Sequence, residues 1–149
     1  MKKNLFNENN VQELKNRLDS LDNYTIPQWG KMNAAQMLAH CSEVLKNALG
    51  KTQQKRMLIG YLLSPFIKHR FYDSAPYKKK GGPSTFKIEE EKDFDKEKRN
   101  LIEQIEQFHT IEREKLKNSV HPFLGKFTPE QWAIGQYKHL DHHLRQFGV

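Results

Sequence analysis

A chain of 149 residues has room for one domain with a hydrophobic core, and a composition of 36% hydrophobic and 29% charged residues excludes an intrinsically disordered polymer. The lone cysteine, Cys41, excludes an internal disulfide framework. The net charge of +7 is local: residues 51–80 hold Lys51, Lys55, Arg56, Lys68, Arg70, Lys78, Lys79 and Lys80 against Asp73 alone, and the rest of the chain balances, so any argument for an anionic partner must rest on that segment.

At the N-terminus no apolar run follows Lys2-Lys3, so no signal peptide is expected, and a cytoplasmic location is. A first helix is expected to start at Asn9 or Asn10, with Val11, Leu14, Leu18 and Leu21 on one apolar face. After a loop around residues 23–30, Asn33 and Gln36 form a capping box for a second helix. Ala34, Met37, Leu38, Cys41, Val44, Leu45, Ala48 and Leu49 give that helix a broad apolar face, and Gly50 stands where it should stop. Residues 55–63 have a helical pattern, which Pro65 should break or kink, with a second short piece over 66–72. The apolar run from Met57 to Leu63 is far shorter than the ~20 residues of a membrane span.

Residues 74–92 are expected to be a long connection, punctuated by Pro76 and Gly81-Gly82-Pro83. A third long helix should run from Asp93 to Asn118, and residues 121–127 should be a loop. Thr128, Pro129 and Gln131 spell a cap, an N1 proline and a capping box for a last helix reaching Phe147. No strand pair and no repeat is evident. The expected fold is all-α: one domain over residues 1–149, a four-helix bundle with one long crossover and extra short helices.

The last helix carries His139, His142 and His143. At ~100° per residue, with His139 at zero, Ala133, Leu140, Leu144 and Phe147 form the core stripe, His143 falls at ~40° beside it, and His142 falls at ~−60° on the solvent side. The inward pair is therefore His139 with His143, four apart on one face, with Trp132, Gln136 and Gln146 on the same flank. On the second helix His40 also borders the apolar stripe. If the three meet, they make a three-histidine metal site with an open position. Spacing alone also fits hydrogen-bonded surface histidines. No His-Glu-x-x-His motif is present.

Three stretches carry a family resemblance: Trp29 to Cys41, His121 to Trp132, and His139 to Phe147. In them the chain resembles the DinB/YfiT-like superfamily of bacterial four-helix bundles, and within it a branch known only as a domain of unknown function. That likeness implies a divalent metal, zinc or nickel, held by His40, His139 and His143. It implies a small-molecule substrate, since better-known relatives are transferases and isomerases using low-molecular-weight thiols such as bacillithiol, mycothiol or glutathione, and others are suspected hydrolases. It also implies a homodimer.

On this reading the protein is a metal-dependent enzyme, and the sequence leaves open whether a thiolate or an activated water attacks the substrate. Asp141 points away from the pair and is not assigned as a base; His121 either enters the site or only orders its loop; Cys41 points into the apolar stripe. The alternative is a non-catalytic bundle that binds a small ligand or an anion. In it the basic segment, interleaved with Tyr61, Phe66, His69, Phe71 and Tyr72, meets an anionic ligand, a nucleic acid or a membrane surface, or is simply a solvated face. No nucleic-acid-binding signature is present, and no nucleic-acid partner is expected.

Overall fold

A computed structural model describes residues 2–52, 54–79 and 86–149. The protein is mostly helical: α1 (Glu8–Asp19), α2 (Ala34–Ala48), α3 (Leu58–Ile67), α4 (Phe94–Thr110), α5 (Arg113–Leu116) and α6 (Pro129–Gln146), with a 3-10 turn at Lys68–Phe71. Helices α1, α2, α4 and α6 pack on one another. Between them lies one core, in which Leu14, Leu18, Met37, Leu38, Leu45, Leu101, Ile105, Phe108, Trp132 and Leu140 are almost wholly buried. The long connection between the 3-10 turn and α4 contains no helix or strand among the described residues; its Gly81-Gly82-Pro83 lies outside them.

The caps of α2 and α6 form as the sequence prescribes. Asn33 and Thr128 each accept from the N3 backbone amide, while Gln36 and Gln131 return the bond. Each box satisfies two amides that a bare helix end leaves orphaned, and so fixes where the two histidine-bearing helices begin.

Five local expectations need correction. The first helix is capped by Asn7, not Asn9 or Asn10, because the Asn7 side chain reaches the Asn10 amide at 3.2 Å. Helix α3 starts only at Leu58, since the Met57 amide is drawn to the Pro122 carbonyl at 2.8 Å. It then runs through Pro65 to Ile67 before tightening into the 3-10 turn. The bond Pro65 forgoes would go to the carbonyl of Tyr61, an exposed residue.

The third long helix ends at Thr110, where the hydroxyl bonds back to the Glu106 carbonyl at 3.0 Å and Ile111 turns extended to pack on the core; α5 is a separate turn beyond it. Finally, the loop over 121–127 contains a short antiparallel hairpin, β1 (Val120–His121) with β2 (Gly125–Lys126). His121 Nδ1 accepts from the amides of Phe123 (3.1 Å) and Leu124 (3.0 Å), closing the turn in place of a longer ladder.

Candidate metal centre

His40, His139 and His143 meet where α2 faces α6, and one ring nitrogen from each lies within 4.8 Å of the others. Among the described residues this is the group of histidine, cysteine and carboxylate side chains able to hold a metal ion. His40 Nε2 stands 3.1 Å from His139 Nε2. Nitrogens on a tetrahedral zinc, bound at 2.0–2.1 Å, are about 3.3 Å apart. The rings are tilted or edge-on to one another, with centroids 4.7–5.1 Å apart, so they converge on a point and do not stack.

Tautomers follow from the outer contacts. His40 Nδ1 lies 2.8 Å from the Phe86 carbonyl, which can only accept, so the proton is on Nδ1 and Nε2 carries the lone pair. Gln146 Nε2 donates to the Trp29 carbonyl at 2.7 Å. Its Oε1 therefore accepts from His143 Nδ1 at 2.8 Å, and His143 Nε2 is bare as well. Such an outer acceptor is the usual partner of a metal-bound imidazole. Gly30 makes the Gln146 contact feasible: its φ is +85°, and a Cβ there would lie 2.4 Å from Gln146 Nε2.

His139 differs from the other two. Facing a bare His40 Nε2, its own Nε2 carries the proton, which leaves Nδ1 buried without a partner. Gln136, three residues earlier and wholly buried, has both amide atoms unpartnered, and so does the indole nitrogen of Trp132. Unpaired buried polar atoms are costly and rare. On α6 these unpartnered atoms belong to Trp132, Gln136 and His139, at four- and three-residue steps along the helix.

Burial keeps these rings neutral. It holds His40 and His142 below the ordinary value of 6.5, His139 well below it, and His143 at about 3. A neutral imidazole is the ligating form, so protons compete weakly for the site near neutrality.

The neighbours divide as follows. His142 stays out of the three-histidine group but is not on a solvent face. It is only 8% exposed, covered by Trp29 (centroids 5.8 Å apart) and Tyr77 (5.6 Å), two loop residues whose cover a helical wheel cannot foresee. Asp141 points away, as expected, and pairs with Arg17 (2.8 Å) and Arg145 (2.9 Å). Cys41 is buried, its Sγ 3.8 Å from Met37 Sδ, and its thiol is pushed far up by burial, which keeps it protonated. His121 orders its hairpin and also stacks on Trp132 (6.2 Å, 29°). Burial lowers it to about 4, and with Nδ1 taken by two amides its proton sits on Nε2. The carbonyl of Phe86 had no signal in the sequence, since any residue supplies one. A surface cleft of about 390 Å³ lined by Lys2, Tyr137, Lys138 and Arg145 includes none of the three histidines.

A family model described as "Protein of unknown function (DUF1569)" matches residues 2–148, and the chain belongs to that family. No curated protein and no solved structure matches it.

Proposed function

Proceeding from membership of a family with no assigned activity, we propose that the protein is a divalent-metal-dependent enzyme of the DinB-like bundle type, with His40, His139 and His143 as ligands. One observation carries the reading. Three neutral imidazoles from two helices converge, and two of them are already oriented by acceptors behind them, Phe86 O and Gln146 Oε1. The donor set fits zinc or nickel, as all-imidazole sites do. When bound, such an ion makes a coordinated water or thiol acidic enough to serve as a nucleophile near neutral pH.

The chain's own residues have definite parts. His40 and His143 present Nε2 without rearrangement. His139 presents Nε2 once its proton sits on Nδ1, a nitrogen that is buried without a partner, as are both amide atoms of Gln136 three residues earlier. Trp132 Nε1, Gln136 Nε2 and His121 Nε2 are the donors we assign to orient a polar substrate group. Thiol-dependent transfer or hydrolysis on a small molecule is the reaction class that the DinB/YfiT-like resemblance suggests.

The test is a screen of the zinc- and nickel-loaded protein for thiol transfer to a small electrophile and for ester and amide hydrolysis, beside His40→Ala. Turnover in the parent and none in the variant is expected. Stoichiometric metal binding with no turnover in either assay would favour the second reading, a ligand-binding bundle.

A further inference from the structure

Helix α3 is built inside out. Of the ten large hydrophobic side chains that stand exposed among the described residues, eight lie between Met57 and Ile67. Leu58, Leu62 and Phe66, at four-residue steps, are 87%, 68% and 75% exposed. The face turned to the protein consists of Gly60 and Ser64. A Cβ on Gly60 would lie 2.3 Å from the Phe123 carbonyl oxygen, so the helix sits backbone to backbone on the hairpin turn. The body thus grips α3 by its smallest residues and presents the largest ones outward. An apolar patch of this kind on a soluble domain marks a contact surface.

Its rim is cationic. Lys55 and Arg56 lead into the helix, Lys68 and Arg70 leave it, and Lys126 adjoins it from β2. The Arg56 guanidinium turns inward, donating to Ser64 Oγ at 3.1 Å and lying 3.7 Å over the Tyr61 ring, and Lys68 bonds to the Lys126 carbonyl. The segment's one acid, Asp73, is already held by Lys138 (2.6 Å) and Arg70 (3.1 Å). Burial, with a smaller push from the nearby Arg56, holds the Lys68 ammonium below its ordinary pKa.

We propose that α3 docks this protein on an anionic lipid surface, with Leu58, Leu62 and Phe66 among the acyl chains and the exposed Lys55, Arg70 and Lys126 at its rim against the phosphates. Charge selects this occupant. A second copy seated on the same face would bring two cationic rims together, whereas an anionic bilayer offers hydrocarbon and countercharge at once. At ten residues the helix is about 15 Å long and lies in the interface without crossing it. No helix among the described residues is long and apolar enough to cross a membrane.

The full-length protein is to be sedimented with vesicles of mixed phosphatidylglycerol and phosphatidylcholine, and with phosphatidylcholine alone, beside Leu62→Glu and Leu62→Glu/Phe66→Glu. Both substituted side chains are exposed, so circular dichroism should show unchanged folding. The expected result is binding at least about tenfold stronger to the anionic vesicles, weakened by salt and reduced at least about tenfold by the double substitution. Three outcomes would overturn the proposal: no vesicle binding, equal binding to phosphatidylcholine alone, or a dimer in analytical ultracentrifugation that Leu62→Glu disperses, which would assign the face to a second copy.

Discussion

Helices α6 and α3 break the ordinary rule of burial in opposite senses. Helix α6 buries Gln136, Lys138, His142, His143 and Gln146; α3 exposes Leu58, Leu62 and Phe66. A domain that only had to fold would gain by exchanging these choices, because buried polar groups cost free energy unless partnered and exposed apolar groups forgo the gain of burial. Departures from local consistency concentrate where a protein does something besides fold. The two helices differ in how the departure is supported. On α6 most buried polar side chains are hydrogen-bonded, His142 is covered by aromatic rings instead, and the fully enclosed atoms without a partner belong to Trp132, Gln136 and His139, at four- and three-residue steps. On α3 the apolar face of Leu58, Leu62 and Phe66 stands uncovered among the described residues.

Substitutions can sharpen this contrast. The largest expected effect is at the base of α6: Trp132→Ala should cost about 3–5 kcal/mol in chemical denaturation, since the indole is wholly buried against Phe71 and Phe127. Acid comes next. His121 titrates at about 4 in the fold and near 6.5 when unfolded, so the unfolded chain takes up the proton first. Its contribution is intact above pH 6.5 and is lost as pH falls toward 4, about 2 kcal/mol by pH 5. His40, His139, His142 and His143 shift in the same direction and add to the loss. A melting temperature unchanged between pH 7 and 5 would show that these rings are not buried neutral.

Gln146→Leu removes the acceptor behind His143 and the bond to Trp29. Metal affinity by competition titration should fall about 10- to 100-fold with the fold retained. The smallest effect belongs to α3: Leu62→Glu should leave stability within about 0.5 kcal/mol. A large loss there would mean the face is covered in the free protein and would erase the contrast with α6.

Much of the site was legible because its signals are local. Two capping boxes, a four-residue histidine spacing and an apolar stripe lie within single helices, and they select His40, His139 and His143 before any tertiary contact is known. What escaped was set by distant residues. His142 reads as exposed on a wheel, but Trp29 and Tyr77 arrive from two loops to cover it. Lys138 is buried because Asp73, far away in sequence, receives it. The end of α4 at Thr110 and the hairpin at His121 turn on side chains competing with the backbone for hydrogen bonds, which periodicity does not register. The apolar composition of α3 was plain in the sequence; that it faces outward depends on Gly60 meeting the hairpin turn.

The central claim is that His40, His139 and His143 hold a metal and His142 does not. Elemental analysis of protein purified without a histidine tag, beside His143→Ala and His142→Ala, tests it most directly. The account predicts about one equivalent of a divalent metal in the parent and in His142→Ala, and none in His143→Ala. Equal loss from both substitutions, or no metal in the parent after incubation with zinc and nickel, would contradict it.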